Sequence, residues 1–288
     1  MSKKFEKYKD KIQMVIGLMG PKGCGKDVLA DYSIKNLNAT GKIITASFLK
    51  KMCSKVFGLG MDYFSENKDN DFLQPVELTN ALVKKILLEM RAAIPEKILS
   101  LKEFNPYRIG VQNYSGRFFK TPRQLLQYVG SDFIHAICKP FHCITSYEAV
   151  KNKPGIWFIT DLRFKVENNY ASKCFKFFYP VKIIGRNEVK AGKEEHLSEK
   201  EWKEIQPFAT IDNSGSLDDF YKNAILVFDK IKKDINEKLS IMSEAEINQL
   251  FDSEKPAIDN KDPNIIRIGR FNFSSPSVAN QHIVRDME

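Results

Sequence analysis

Cysteine, histidine and tryptophan are scarce in this chain of 288 residues, with five, four and two copies. The cysteines (Cys24, Cys53, Cys138, Cys143 and Cys174) are odd in number, widely spread and contain no CxxC pair. That argues against a disulfide scaffold and a structural zinc site, and it fits a reducing cytosol. No apolar run approaches the ~18 residues that a membrane-spanning helix needs. The N-terminus imitates a secretion signal, with five lysines in residues 1–11 followed by the apolar stretch 12–19, but it lacks a small-residue cleavage site. Internal repeats and extended low-complexity tracts are absent as well. A soluble, cytoplasmic protein is expected.

Apolar and basic side chains are plentiful. Hydrophobic residues make up 43% of the chain, enough for a sizeable core in one or two domains. Lys and Arg outnumber Asp and Glu by 45 to 36, a net charge of +9 that favours anionic partners. Nucleotides, nucleic acid and anionic membranes all qualify, and charge alone does not choose among them.

Along the chain, residues 1–11 read as a solvated basic arm, and 12–19 as a short strand buried on both faces. A helix is expected from Gly25 to about Leu37, a strand over Ile43–Phe48, and a helix over 76–94 that stops at Pro95. Thr121-Pro122 supplies an N-cap and a first-turn proline for the next helix. Strands are expected at 156–160, within Phe175–Ile184 and at Phe208–Ile211. Ser216 to Asp219 then reads as a capping box opening a helix to about Leu239. Strands alternating with helices indicate a parallel sheet covered on both faces. Beyond about Ser240 the chain changes character, with a linker-like stretch at 252–264 and a candidate edge strand at 265–273.

The sharpest motif is Gly20-Pro-Lys-Gly-Cys-Gly25-Lys26-Asp27, which matches the phosphate loop G-x-x-x-x-G-K-[ST] except at its last position. Glycines let backbone N–H groups converge on phosphate oxygens, and the helix that follows points its positive end at the same place. Lys26 would reach the β- and γ-phosphates of a nucleotide. Asp27 replaces the usual hydroxyl and would meet Mg²⁺ directly or through water. The competing reading is a glycine turn that merely joins strand to helix.

Further strings, in the same order over about 200 residues, resemble the deoxynucleoside monophosphate kinases of tailed phages, including those of T-even type. They are Gly25-Lys26-Asp27, Pro122-Arg-Gln-Leu-Leu-Gln-Tyr-Val-Gly-Ser-Asp132, Asp161-Leu-Arg163 with Glu167, Arg186, His196-Leu-Ser-Glu199 and Asn213-Ser-Gly-Ser-Leu217. The resemblance implies a P-loop three-layer α/β fold, a parallel sheet flanked by helices with a helical acceptor-binding insertion and a lid at about 186–206. The kinase domain would span 12–239, between the basic arm of residues 1–11 and a C-terminal extension, 240–288, of no assigned role. It implies transfer of phosphate from ATP, with Mg²⁺, to a 5′-deoxynucleoside monophosphate, giving the diphosphate and ADP for DNA precursor synthesis.

By that resemblance Lys26, Asp161, Arg163 and Arg186 serve catalysis, with Asp27 and Asp161 toward the metal. Gly23, Cys24, Gly25, Lys26, Asp27 and Val28 hold the donor phosphates, and Asn213, Gly215 and Ser216 cradle its base. Lys22, Arg123, Gln127, Gly130, Ser131 and Glu167 hold the acceptor. Arg123 is expected in the first turn of its helix, where the helix dipole disfavours a cation, and that misplacement itself points to function. The competing reading of the charge-dense stretch 186–206 is an exposed amphipathic helix, with Trp202 and Ile205 on its inner side.

Two departures from the family stand out. Val28 replaces a usual Thr, and Pro140-Phe-His-Cys143 lacks the Trp found near that place. The partners expected are two small molecules, ATP and a deoxynucleoside monophosphate. Nucleic acid is not required, no membrane is involved, and a homodimer is left open. For a viral source the compartment is the host cytoplasm. Two other readings stay open: a P-loop kinase of another small phosphorylated acceptor, such as a coenzyme precursor or phosphomevalonate, and a catalytically decayed protein that binds nucleotide or nucleic acid.

Overall fold

The computed structural model describes residues 3–94, 114–138, 140–150, 153–185 and 201–252. In chain order these form α1 (Lys3–Tyr8), β1 (Gln13–Met19), α2 (Lys26–Asn36), β2 (Gly41–Ile43), α3 (Thr45–Phe57) and α4 (Met61–Ser65). Next come β3 (Val76–Leu78), α5 (Asn80–Ala93), β4 (Arg117–Phe119) and α6 (Pro122–Gln127). The chain continues through a π-helical segment (Tyr128–Ile134), α7 (His135–Ile137), α8 (Phe141–Val150), β5 (Gly155–Ile159) and α9 (Lys165–Cys174). It closes with β6 (Phe177–Ile184), a 3₁₀ turn (Glu201–Glu204), β7 (Ala209–Asp212), α10 (Leu217–Ser240) and α11 (Glu244–Asp252).

Five strands make one parallel sheet in the order β2-β5-β1-β6-β7, with Val15 beside Trp157 on one side of β1 and Phe178 on the other. Side chains alternate along a strand, so the central strands β1, β5 and β6 feed two cores. Met14, Ile16 and Leu18 of β1, with Phe177, Tyr179, Val181 and Ile183 of β6, meet Leu29 of α2 and Phe220, Ala224, Phe228, Ile231 and Ile235 of α10. Val15 and Met19 face the other way, toward Ile43, Ile159, Leu162, Ala171 and Phe175. The architecture is α/β: a parallel sheet flanked by helices. Among the described residues no helix is long and apolar enough to cross a membrane.

Between β2 and β5 the chain builds a separate helical body around Leu49, Met52, Cys53, Phe64, Val83, Ile86, Leu125, Val129, Phe133 and Phe141. This body corrects two expectations. Only Ile43 of the expected strand Ile43–Phe48 is in a strand; residues from Thr45 onward are α3. Leu49, Met52, Cys53 and Val56 are all buried, at the i, i+3, i+4, i+7 spacing of one helix face, and that stripe outweighs the short apolar run. Residues 76–78 pair with β4 as an antiparallel two-stranded sheet, so the helix expected from 76 begins only at Asn80, capped by the Thr79 hydroxyl.

The N-terminal residues also depart from a solvated arm. α1 packs Phe5 and Tyr8 into the core beneath α10 and α11. The Lys4 ammonium donates to the Leu239 and Met242 carbonyls (3.0 and 2.7 Å), neutralising the negative end of α10. α11 buries Ile247 in the same core, so residues 240–252 belong to the folded body. Trp202 and Ile205 are buried against β6 and α9, the inner side expected of an amphipathic helix, although the described residues there form a 3₁₀ turn. Arg186, His196 and Glu199, most of the expected lid, and the candidate edge strand 265–273 lie outside the described residues.

Candidate functional site

In a parallel sheet, the reversal of strand order leaves a crevice at the carboxyl ends of the strands. Here the reversal falls at β1, which has β5 on one side and β6 on the other. The loop from Gly20 to Gly25 leaves β1 at that edge, Asp161 and Arg163 leave β5, and Asn213 leaves β7. The glycine loop, Asp161, Arg163 and Asn213 therefore share one edge of the sheet.

Three glycines of the loop adopt positive φ: Gly20 (147°), Gly23 (78°) and Gly25 (105°). At Gly20 a Cβ would stand 2.5 Å from the Ile183 carbonyl oxygen, so only glycine fits. Cys24 is buried inside the loop, and burial raises its thiol pKa. Lys26 opens α2 and folds its ammonium back onto the Gly20 and Pro21 carbonyls (2.7 and 2.9 Å). Lys22, Gly23 and Asp27 are exposed, and Val28 is 45% exposed.

Asn213 sits differently from the expected base cradle. Its side chain is 3% exposed, and Nδ2 donates to the Cys24 carbonyl (2.8 Å). It therefore clamps the glycine loop. Gly215 and Ser216 are exposed, and Ser216 caps α10 in a reciprocal box with Asp219, as expected from the sequence.

On the helical body, Thr121 caps α6 and Pro122 occupies its first turn. Arg123 follows, and its guanidinium makes a two-pronged ion pair with Asp69, one arm at 2.8 Å. The Arg123 N–H also donates to the Lys68 carbonyl (2.8 Å), which fixes the loop after α4 against the start of α6. Past Gln127 the helix widens into its π-helical segment, a distortion frequent at functional sites. A Cβ at Gly130 would lie 2.7 Å from Leu49 Cδ2, showing how closely α3 approaches that segment. His142 lies beneath, its Nε2 3.3 Å from the Gly130 carbonyl, and burial lowers its pKa.

These elements enclose a cleft of about 180 Å³. It is lined by Arg123, Gln127, Gly130, Ser131, Asp161, Arg163 and Glu167, seven of the residues singled out in the sequence. Lys68, His135, His142 and Leu49 join them. Arg163 is held by the Asp161 carboxylate two residues earlier. Glu167 is 4% exposed and accepts hydrogen bonds from the Arg163 and Phe164 N–H groups (both 3.2 Å), pinning the turn that carries Asp161 and Arg163. Burial pushes its pKa up to about 8.

The loop and the cleft meet electrostatically at Lys50 of α3. Burial and the neighbouring Lys68 lower its pKa, while Asp161 and Asp27 pull the other way. Asp69 ionises below the usual carboxylate range chiefly because Arg123 bonds it, with Lys22 and Lys68 adding to the effect. Lys22, Lys50, Lys68, Arg123 and Arg163 thus gather around the carboxylates Asp27, Asp69 and Asp161. Sequence reasoning missed Lys50, Lys68 and Asp69. The helical stripe of α3 would have placed Lys50 one residue after Leu49, whereas nothing local marks the 54-residue link from Asp69 to Arg123.

Among the described residues no group of three or more His, Cys, Asp or Glu is placed to hold a metal ion. The exposed Asp27 in the first turn of α2 and the half-buried Asp161 after β5 offer two carboxylates. Two carboxylates suit Mg²⁺, which keeps several waters and takes phosphate oxygens as its remaining ligands. The positive-φ glycines, the first turn of α2 and Lys26 likewise suit a polyphosphate. No family model matches this chain, and no curated protein matches it.

Proposed function

We propose that this protein transfers a phosphoryl group from ATP to a 5′-deoxynucleoside monophosphate, giving the diphosphate and ADP. The observation that carries the reading is the single cleft lined by Arg123, Gln127, Gly130, Ser131, Asp161, Arg163 and Glu167, beside a glycine loop on the same sheet edge. Residues separated by up to 44 positions in sequence line one cavity, which a chance collection of short motifs has no reason to do.

In this reading the Gly20–Gly25 loop is a P-loop that takes the β- and γ-phosphates of the donor, and Lys26 moves its ammonium from the loop carbonyls to phosphate oxygens. Arg123 and Lys22 hold the acceptor phosphate, with Lys68 beside them on the cleft wall. Asp161 keeps the Arg163 guanidinium in place, so that Arg163 faces the phosphoryl group in transit. Asp27 and Asp161 would hold Mg²⁺, which would supply charge neutralisation on the phosphates.

Phosphoryl transfer is mostly positioning and charge neutralisation. A phosphate monoester has a second pKa near 6 and is already a dianion at neutral pH. The reaction therefore requires no general base. That agrees with a Glu167 carboxyl committed to backbone N–H groups and a His142 imidazole held neutral by burial.

The test is ADP formation from Mg·ATP with each deoxynucleoside monophosphate, each ribonucleotide counterpart, and no acceptor. Acceptor-dependent turnover is expected, and the panel reads out base and sugar preference together. Absence of transfer to every nucleoside monophosphate would overturn the proposal.

A further inference from the structure

The Asn213 side chain sits in an unfavourable place for a residue with only a structural task. It is 3% exposed, and its Oδ1 is buried with no hydrogen-bond partner among the described residues. A buried acceptor left unsatisfied costs free energy, and an apolar side chain of similar size would avoid that cost. The orientation of the amide is nevertheless fixed. The Cys24 carbonyl can only accept, so the donor Nδ2 must face it.

Hydrogen bonds also fix the backbone on either side of Asn213. Its N–H donates to the Ile184 carbonyl (2.9 Å) at the end of β6. On one side the Asp212 carboxylate accepts from the Ser214 N–H (2.8 Å), and the Asp212 carbonyl accepts from Asn223 (3.1 Å). On the other, Nδ2 would stand only 2.8 Å from a Cβ at Gly25, whose φ is +105°. Asn213 thus joins two strand ends, β6 and β7, to one peptide of the glycine loop.

That peptide lies between Cys24 and Gly25. In a trans peptide the C=O and the N–H point in opposite directions. A hydrogen bond that draws the Cys24 carbonyl toward β7 therefore turns the Gly25 N–H away from β7, onto the other side of the loop. The N–H groups at the start of a helix have no intrahelical acceptor and are the ones that bind phosphate.

We infer that Asn213 is a positioning residue for donor phosphate: its amide holds the Cys24–Gly25 peptide so that the Gly25 N–H is aimed at the phosphate before nucleotide arrives. This rests on the proposed phosphate-binding role of the loop and replaces the base-cradling role that the sequence resemblance implies for Asn213.

The test uses the full chain with Asn213→Ala, which removes the clamp, and Asn213→Asp, which keeps the shape but sets an oxygen against the Cys24 carbonyl. Affinity for Mg·ATP is measured by calorimetry, and KM for donor and acceptor by steady-state kinetics. Misplacement of a binding group by about 1 Å can cost a hundredfold, so a loss of donor affinity of about tenfold or more is expected in both variants. The acceptor KM should stay within about twofold of wild type.

A residue that only stabilises the fold would lower the melting temperature and leave affinity for ATP in the folded fraction unchanged. Wild-type ATP affinity and donor KM in either folded variant would overturn the inference. So would equal weakening of donor and acceptor. If Asn213→Ala does not fold, the near-isosteric Asn213→Asp decides alone. A wild-type protein that binds ATP and transfers to no acceptor refutes the kinase reading, yet leaves the Asn213 result readable from ATP affinity. A wild-type protein that binds no nucleotide refutes both.

Discussion

Glu167 offers the strongest quantitative consequence of the site's electrostatics. Its carboxyl is buried, and burial is the largest influence on it, outweighing the two backbone N–H groups and the Arg163 charge that favour ionisation. The group ionises near pH 8 in the folded protein and near the ordinary glutamate value of 4.5 in the unfolded chain. Between those limits the folded state holds the proton that the unfolded state has released, so stability falls as pH rises. Each pH unit of the gap is worth about 1.36 kcal/mol, or about 5 kcal/mol over the whole interval. Glu167→Gln keeps the shape and one acceptor for the Arg163 and Phe164 N–H groups, but does not titrate. Urea unfolding of both proteins followed by circular dichroism from pH 5 to 8 should show the variant gaining on wild type by about 1.4 kcal/mol per pH unit. All other titrating groups are common to both proteins and largely cancel in that difference. Two parallel stability profiles across this range would refute the reasoning and would mean that Glu167 is ionised throughout.

Three further outcomes are expected. Lys26→Ala should lower turnover by about a hundredfold or more through lost phosphate stabilisation, while the thermal melt stays near wild type; wild-type turnover would remove Lys26 from the chemistry. Arg123→Ala should raise the acceptor KM by about tenfold to a hundredfold, the range for a charged hydrogen bond, with donor KM unchanged; an unchanged acceptor KM and kcat would take Arg123 out of the site. Tyr8→Ala should destabilise the protein by about 3 kcal/mol, because Tyr8 is buried beneath α10 and α11 and packs near Phe251. A melting temperature equal to wild type would restore the reading of residues 1–11 as a solvated arm.

What the sequence showed reliably was local. β1, the three glycines of its loop, the Thr121-Pro122 helix start and the Ser216 capping box each depend on residues within a few positions of one another, and each forms where expected. Elements that depend on distant partners were illegible. Val76–Leu78 is a strand only because Arg117–Phe119 lies beside it, and three alternating residues are too few to outweigh the helical spacing that follows them. Lys3–Tyr8 is highly charged and reads as solvated until the end of α10 gives Lys4 its carbonyls and Phe5 and Tyr8 their apolar neighbours. The π-helical segment after Gln127 leaves the apolar face of its helix intact, and so leaves no mark in the sequence pattern.

The same distinction alters the weight that Arg123 carries. A cation in the first turn of a helix opposes the helix dipole, and from sequence alone that placement requires a functional reason. The structure supplies part of a structural one, since Asp69 grips the guanidinium in two places and stands where an acid near a helix start is favoured. Misplacement by itself therefore counts for less than it did. What remains is position. The Arg123 side chain is about a third exposed, lines the cleft with Asp161 and Arg163, and shares its electrostatic neighbourhood with Lys22 and Lys68. One carboxylate offsets only part of that charge. An incoming phosphate dianion would complete the neutralisation without displacing Asp69, whereas a neutral acceptor would leave the cations facing one another. In the proposed kinase reading, the excess of positive charge over Asp69, more than the dipole, would favour a phosphorylated acceptor.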